Sequence, residues 1–325
     1  MKLSVFALLL LVFSNVSYAY KSITDDKLQE LLQSFRYRPE VNISVKPKVS
    51  CDSQVLKYTT TYPQRETPLE IEARAYIPAR DSTLPAAPVV FILPPLGGTS
   101  PLDANMAETF CKNRIAAVII VTDLTGLSNP TLVPVTDHDQ TGRRVASAIK
   151  GGMLVMQDYA EVDSDKVGVF GASLGGILSS IAYSVIPEIS AATFIVNGGD
   201  VPYILAHSDQ PKVIELKNAR KKEQGLRTDD EYEAYLNEHM EIDPLHFAKL
   251  IPSDSVKQYL SKNDASVASS KQLEYHNAIG KPSEVKFYDV GHAPTIIAVM
   301  SLGKPRREIA DWFNQRFTLP NPRRQ

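Results

Sequence analysis

The fold prediction for this chain starts from Val169-Phe170-Gly171-Ala172-Ser173-Leu174-Gly175-Gly176. The apolar run Val167 to Phe170 predicts a short buried strand, and Ile177 to Val185 predicts a helix. Between them lies a G-x-S-x-G pattern, whose glycines let strand and helix approach closely and leave the Oγ of Ser173 exposed at the tip of a tight turn. The following helix directs its first N–H groups at the same point, where negative charge would develop in a reaction. The alternative interpretation of this pattern is a glycine-rich turn with a surface serine.

Composition and charge exclude several other classes of protein. The chain has 325 residues, with 35 Lys and Arg against 37 Asp and Glu, and a net charge of −2. This balance argues against binding to nucleic acid or to an anionic membrane surface. His-x-x-x-His, Cys-x-x-Cys, G-x-G-x-x-G and G-x-x-x-x-G-K patterns are absent from the sequence. We therefore expect no metal and no nucleotide cofactor.

Residues 1–19 have the pattern of a secretory signal peptide. Lys2 gives a positive start, Leu3 to Phe13 is apolar, and Ser17-Tyr18-Ala19 places small residues at the two positions that specify cleavage. The apolar run is too short to span a bilayer comfortably, although an uncleaved anchor remains the alternative. We therefore expect an exported protein, periplasmic or secreted, with no stable membrane insertion after signal removal.

The two cysteines, Cys51 and Cys111, leave two possibilities open. In an oxidising compartment they could form a disulfide, but nothing in the local sequence requires it. Two separate buried thiols are the other possibility.

Alternating strands and helices predict an α/β fold with a mostly parallel central sheet and helices on both faces. An N-terminal extension (20–53) precedes the first part of the sheet domain (54–200), whose second part (251–319) ends in a short tail (320–325). Continuous apolar runs such as Val89 to Leu93 predict strands that are buried on both faces.

The segment 201–250 is a charged, helical insertion between the two parts of the sheet domain. Thr228 begins a capping box with Glu231, which predicts the start of a helix. The apolar stripe of that helix is predicted to pack as core rather than to line an acyl pocket: Tyr232, Tyr235, Leu236 and Met240. A basic cluster is predicted to form a solvated face: Lys217, Arg220, Lys221 and Lys222.

The serine turn and the alternating pattern together resemble the α/β-hydrolase superfamily over Gln54 to Phe317. The Gly-Ala-Ser-Leu-Gly-Gly turn and the insertion look most like the dienelactone-hydrolase and acetyl-esterase branches. The resemblance implies an α/β-hydrolase fold in which the segment 201–250 is a helical lid. It also implies a catalytic triad in the chain order Ser, then Asp or Glu, then His.

The positions that match this order are Ser173, Asp264 and His292. Each lies just past the carboxyl end of a predicted strand, where sites in open α/β sheets are built. In this hypothesis Ser173 is the nucleophile, His292 the general base, and Asp264 the residue that orients the histidine ring. Asp200 remains the alternative acid, because some superfamily members place the acid one strand earlier. The other five histidines are interpreted as packed or surface residues.

The resemblance also predicts an oxyanion hole formed by the backbone N–H groups of Leu96 and Leu174. Pro94-Pro95 stands where the superfamily usually carries His-Gly, so this chain departs from the pattern. The donor required is the N–H of Leu96 itself, and this N–H is retained. The alternative is a proline-rich strand exit without a catalytic part.

These features predict an exported serine hydrolase that cleaves a small-molecule carboxylic ester through an acyl-enzyme intermediate, without a cofactor. A non-catalytic α/β-hydrolase-fold protein that binds a ligand or a partner is the main alternative. Thioesterase, acyltransferase and peptidase remain alternatives among enzymes, because one fold hosts many reactions.

Overall fold

A computed structural model describes residues 20–80, 83–126 and 136–323, apart from the side chains of residues 136 and 137. The predicted signal peptide, residues 1–19, lies outside the described residues. None of the helices in the described ranges combines the length and the apolar character needed to cross a bilayer.

The described residues form nine strands. They are β1 (Val41–Val45), β2 (Ser50–Thr60), β3 (Leu69–Ile77), β4 (Ala87–Leu93), β5 (Ala116–Ile120), β6 (Val162–Ala172), β7 (Ile189–Ile195), β8 (Val256–Ser261) and β9 (Glu284–Tyr288).

The same part of the chain forms eleven α-helices. They are α1 (Asp25–Ser34), α2 (Pro101–Lys112), α3 (Thr136–Met156), α4 (Leu174–Val185), α5 (Val201–His207), α6 (Pro211–Gln224), α7 (Asp229–His239), α8 (Pro244–Phe247), α9 (Ser269–Ala278), α10 (His292–Met300) and α11 (Gly303–Arg316). Short 3₁₀ turns at Ala248–Leu250 and Ser253–Ser255 lead into β8.

All nine strands belong to one sheet in the order β1-β2-β3-β5-β4-β6-β7-β8-β9. Strands β1, β2 and β3 are antiparallel to their neighbours. The other six strands, β4 to β9, all run parallel to one another. The parallel strands therefore direct all their carboxyl ends to one edge of the sheet, which we call the carboxyl edge. A site built at this edge can draw side chains from several strands.

Helices cover both faces of the sheet, as the alternation along β4 shows. Val89, Phe91 and Leu93 are buried on the face that also packs α1, α3, α4 and α9. Val90 and Ile92 are buried on the opposite face, against α2, α10 and α11. Successive strand side chains point to opposite faces, so a continuous apolar run is the composition that two covered faces require. The predicted fold class, a mostly parallel sheet with helices on both faces, is confirmed.

The sheet begins earlier in the chain than the predicted start of the sheet domain at residue 54. Strand β1 pairs with β2 and lies inside the N-terminal extension, and β2 itself begins at Ser50. The side chains of β1 are half-buried or exposed, because β1 is an edge strand with one free side. A polar edge strand lacks the apolar run by which the interior strands were predicted.

A disulfide joins Cys51 in β2 to Cys111 in α2, at a sequence separation of 60. It decides between the two possibilities that the sequence left open. The bond lies towards the edge of the sheet where β5 begins, opposite the carboxyl edge, since α2 ends close to the start of β5.

Helices α5 to α8 form the predicted helical insertion. Thr228 accepts the N–H of Glu231, whose side chain accepts the N–H of Thr228, so the capping box at the start of α7 is present. Tyr232, Leu236 and Met240 pack into a separate apolar cluster with α5 and α6. The insertion therefore has a small core of its own.

The prediction that the basic cluster of α6 is a solvated face is wrong for two of its members. Lys217 and Arg220 are only 8% and 5% exposed. The Lys217 ammonium donates to the Ala206 carbonyl at 2.6 Å and to the Asp229 carboxylate at 2.7 Å, so it ties α6 to α5 and α7. Long basic side chains can bury their stems when their charged ends find such partners, and the sequence pattern alone does not reveal those partners.

Candidate active site

Ser173 lies at a turn between β6 and α4, and its backbone is in an unusual conformation. Its φ of 55° and ψ of −126° lie outside the regions that side chains other than glycine normally adopt. Two backbone hydrogen bonds hold it there: its N–H donates to the Ile195 carbonyl at 2.8 Å, and its carbonyl accepts the Ile177 N–H at 3.0 Å. The conformation places the serine ahead of the first turn of α4, as the G-x-S-x-G pattern predicts.

The two glycines that flank Ser173 are required by close backbone contacts. A Cβ at Gly171 would lie 2.2 Å from the Gly175 carbonyl oxygen, and one at Gly175 would lie 1.9 Å from the Leu93 carbonyl oxygen. No side chain fits at either position. The serine turn therefore packs directly on the end of β4, next to the loop that contains Leu96.

The structure brings Ser173, His292 and Asp264 together in one hydrogen-bonded chain. The Ser173 Oγ lies 2.8 Å from the His292 Nε2, and the His292 Nδ1 lies 2.7 Å from the Asp264 Oδ2. The three residues follow β6, β9 and β8, and all are at most 9% exposed. In this geometry Asp264 holds the ring with a proton on Nδ1, which leaves Nε2 free to accept the serine proton.

Four donors surround the carboxylate of Asp264. Its Oδ1 accepts the backbone N–H groups of Ser266 at 2.8 Å and Val267 at 3.0 Å. Its Oδ2 accepts from His292 and also from the Gln272 side-chain amide at 2.7 Å. A buried carboxylate needs such partners to remain charged. Gln272 was not predicted from the sequence, because nothing in its position on a helix eight residues after Asp264 indicates this contact.

Asp200, the alternative acid, is used elsewhere. It is 1% exposed, and its Oδ2 forms an ion pair with the Lys271 ammonium at 2.6 Å. Its Oδ1 accepts the Tyr203 N–H at the start of α5. Asp200 is therefore a helix cap and an ion-pair partner, and His292 contacts Asp264 instead.

The remaining histidines have other partners or surroundings. His207 pairs with Glu233, His239 with the Tyr235 carbonyl, and His276 with the side-chain oxygen of Gln258. Both ring nitrogens of His246 face backbone carbonyl oxygens, those of Glu241 and Lys21. Burial, assisted by two nearby arginines, lowers the pKa of His138 to about 4, so this ring is neutral at pH 7. None of the five contacts Ser173 within the described ranges.

The two predicted oxyanion donors flank the serine turn. Leu174 is the first residue of α4, where N–H groups have no partner inside the helix. Leu96 lies in the loop after β4, and its side chain packs against the apolar cluster of the insertion. Within the described part of the chain, neither N–H donates to another backbone or side-chain acceptor. Both groups therefore stay predicted oxyanion donors.

A cleft of about 150 Å³ adjoins these two residues. Its walls are the loops that follow β4 and β5, together with Leu174 and Leu178 of α4 and Lys212 of α6. A smaller pocket of about 60 Å³ shares Thr125, Leu174 and Leu178 with the cleft. The insertion covers this pocket with apolar side chains, which are Val201, Leu205, Met240 and Ile242.

The fold is that of the α/β-hydrolases, and comparison with solved structures agrees. Similar structures include acetyl xylan esterase 1 from Thermoanaerobacterium sp. JW/SL YS485, with a TM-score of 0.59, 18% identity and coverage of 90% of this chain and 92% of that one. Acetyl xylan esterase from Paenibacillus sp. R4 gives a TM-score of 0.62 and 16% identity over 91% of this chain and 96% of that one. At these identities the likeness establishes the α/β-hydrolase fold, and the particular branch stays a prediction.

A third similar structure is a 2,6-dihydroxy-pseudo-oxynicotine hydrolase, with a TM-score of 0.53 and 15% identity over 76% of this chain and 65% of that one. No protein-family model matches the sequence, and no curated protein matches it.

Proposed function

We propose that this protein is a serine hydrolase that cleaves a carboxylic ester through an acyl-enzyme intermediate. One observation carries the proposal: the continuous hydrogen-bonded chain from Ser173 through His292 to Asp264, at the carboxyl edge of an α/β-hydrolase sheet. A serine hydroxyl is a poor nucleophile unless a neighbouring base accepts its proton, and this geometry supplies that base.

In the proposed reaction the Ser173 Oγ attacks the ester carbonyl carbon while His292 Nε2 takes the hydroxyl proton. The N–H groups of Leu96 and Leu174 hold the resulting oxyanion. When the tetrahedral intermediate collapses, the bond to the alcohol breaks, and His292 gives its proton to the departing oxygen. Water then attacks the acyl-serine with His292 again as base, which releases the acid and restores Ser173.

From the sheet order we infer that the two halves of the substrate lie on opposite sides of Ser173. His292 protonates the leaving alcohol, so the alcohol lies on the side of β8 and β9. The acyl group then extends towards β4 and β5, where the cleft and its adjoining pocket lie. The small size of both spaces and the apolar lining of the pocket support a short acyl group. The two acetyl xylan esterases among the similar structures support the same class and the acetyl-esterase branch.

Export is part of the proposal. The leader pattern of residues 1–19 supports passage across a membrane, and the Cys51–Cys111 disulfide supports an oxidising compartment, periplasmic or extracellular. Mass analysis of the exported protein should then find Tyr20 as its first residue, whereas a retained Met1 would contradict signal cleavage.

Intact-mass measurement with a fluorophosphonate probe tests the catalytic proposal. The wild-type protein should gain one adduct, and Ser173→Ala should gain none, because only an activated serine reacts with the probe. Ser173→Ala should also lower kcat on a short-chain ester by about a million-fold, by analogy with measured serine hydrolases.

Ser190→Ala is the matched control for this experiment. Ser190 is 7% exposed, close to the 8% of Ser173, but its Oγ donates to the Val167 carbonyl. This variant should be labelled like the wild type. A folded wild-type protein that takes no adduct and cleaves no ester would overturn the proposal and favour the non-catalytic alternative.

A further inference from the structure

We infer that Gln272 is a positioning residue, which holds the Asp264 carboxylate in the plane where it can orient His292. The inference rests on the proposed function for its catalytic consequence, but the geometry stands on its own. Gln272 lies in α9 and is 1% exposed, so its amide is removed from water. All its polar contacts must therefore be made inside the protein.

The amide of Gln272 makes three hydrogen bonds. Its nitrogen donates to the Asp264 Oδ2 at 2.7 Å and to the Val267 carbonyl at 2.8 Å. Its oxygen accepts the Ser261 N–H at 3.0 Å. These contacts link the end of β8, the loop after it and the carboxylate to one side chain of α9.

These neighbours permit a single orientation of the amide. A carboxylate oxygen and a backbone carbonyl can only accept, and the Ser261 backbone N–H can only donate. An amide turned by 180° would set its oxygen against two acceptors and its nitrogen against a donor. The nitrogen that faces Asp264 is thus fixed by its surroundings, and both of its hydrogens are used.

Gln272 controls the oxygen of Asp264 that contacts the histidine. The backbone N–H groups of Ser266 and Val267 hold Oδ1 but leave the carboxylate free to turn about that oxygen. The Gln272 bond fixes Oδ2, the same atom that accepts from His292 Nδ1. Without it, Oδ2 loses a donor and the histidine ring loses a fixed partner.

Two consequences for catalysis follow from the loss of this donor. The ring would move away from Ser173 more often, and misplacement of about 1 Å can cost about 100-fold in rate. The less neutralised carboxylate would also stabilise the charged form of the histidine ring. Because His292 acts as a base in its neutral form, the acid limb of kcat/KM would move to higher pH.

Other charged groups near this pair are already engaged by different partners. The Asp209 carboxylate accepts from Ser266 Oγ, the Lys271 ammonium pairs with Asp200, and the Lys262 ammonium pairs with Asp289. Among the residues that the structure describes, Asp264 is the carboxylate that pairs with His292. A pH shift in a Gln272 variant is therefore attributed to Asp264 and His292.

The test compares Gln272→Met and Gln272→Glu with the wild type. Gln272→Met keeps the length of the side chain and removes the amide, and it should lower kcat by about 100-fold with KM nearly unchanged. Gln272→Glu places a second carboxyl group beside Asp264. Two buried carboxyl groups in contact share one proton, so kcat/KM of this variant should show a further ionisation that the wild type and Gln272→Met lack. NMR titration of the His292 ring should report both changes, in a measurement that needs no substrate.

Gln258→Met is the matched control, because Gln258 is also buried but its side-chain oxygen accepts from His276 and not from the triad. It should leave the kcat, the pH profile and the His292 titration near those of the wild type. Gln272 variants that match Gln258→Met in all three measurements would overturn the inference. If Gln272→Met does not fold, Gln272→Glu and its titration decide the question. Failure of the proposed function is a separate result, because it would be seen as an unreactive Ser173 in the wild type.

Discussion

Ser173 carries backbone strain that its surroundings must hold in place. A residue other than glycine in this part of φ, ψ space costs about 1–3 kcal/mol. The strain persists because the turn is held on both sides, by the hydrogen bonds of Ser173 to β7 and α4 and by the contact of Gly175 with the end of β4. The reactive geometry therefore depends on a glycine that takes no part in the chemistry.

Gly175→Ala tests this dependence. The new Cβ would lie 1.9 Å from the Leu93 carbonyl oxygen, so backbone on one side of the contact must move. We expect the free energy of unfolding in urea to fall by about 3 kcal/mol, at the upper end of overpacking costs. Ester hydrolysis should fall as well, because the same shift displaces Ser173 and the loop that contains Leu96.

Gly303→Ala serves as the control, because nothing lies within 4 Å of a Cβ at that position in α11. Its free energy of unfolding should change by less than about 1 kcal/mol, and its activity should stay the same. Equal stability and activity for Gly175→Ala would refute the requirement for glycine at the serine turn.

At the residue scale, the proximity of Ser173, Asp264 and His292 could be predicted because each of them follows a strand. Chain order and strand ends are sequence properties, and they placed Ser173, Asp264 and His292 at one edge. Gln272 could not be predicted in this way, since its contact with Asp264 depends on how α9 is rotated and how closely it packs. The burial of Lys217 was missed for the same reason, because its partners come from two other helices.

At the scale of elements, the interior strands were predicted well and the edges of the fold poorly. Interior parallel strands are mostly apolar on both faces, so β4 to β7 contain short apolar runs. The edge strand β1 carries exposed and half-buried side chains and has no such signal. Helix α10 was not predicted either, although it begins at His292 itself.

The small pocket between the insertion and helices α3 and α4 should limit the length of the acyl group that the protein accepts. Gly142 of α3 lines the pocket, and a Cβ there would lie 2.9 Å from the Ile242 Cγ2. Gly142→Ala should therefore lower kcat/KM for a hexanoyl ester about tenfold relative to an acetyl ester, since one methylene of fit is worth at least this much. Rates on a series of nitrophenyl esters measure the ratio.

The acetyl ester in the same series is the internal control for this variant. Its kcat/KM should stay near the wild-type value, because an acetyl group ends before the pocket. A Gly142→Ala enzyme with an unchanged ratio of hexanoyl to acetyl rates would place the acyl group elsewhere and contradict the assignment of the two substrate halves.

At the scale of the whole molecule, the disulfide stabilises the antiparallel side of the sheet, away from the site. It closes a loop of 60 residues between β2 and α2, and chain-entropy reasoning assigns such a loop about 4 kcal/mol. The double variant Cys51→Ser with Cys111→Ser should lose about this much free energy of unfolding. Because the bond lies opposite the carboxyl edge, hydrolysis rates at 25 °C should remain close to those of the wild type.

Urea unfolding with and without a reductant separates the bond from the substitutions. The wild-type midpoint should fall when the reductant is added, whereas the midpoint of the double variant should not change. A wild-type midpoint that is insensitive to the reductant and equal to that of the variant would mean that the cysteines are not paired in the folded protein. That result would also remove the structural support for an oxidising compartment, and the proposal of export would then depend on the leader pattern alone.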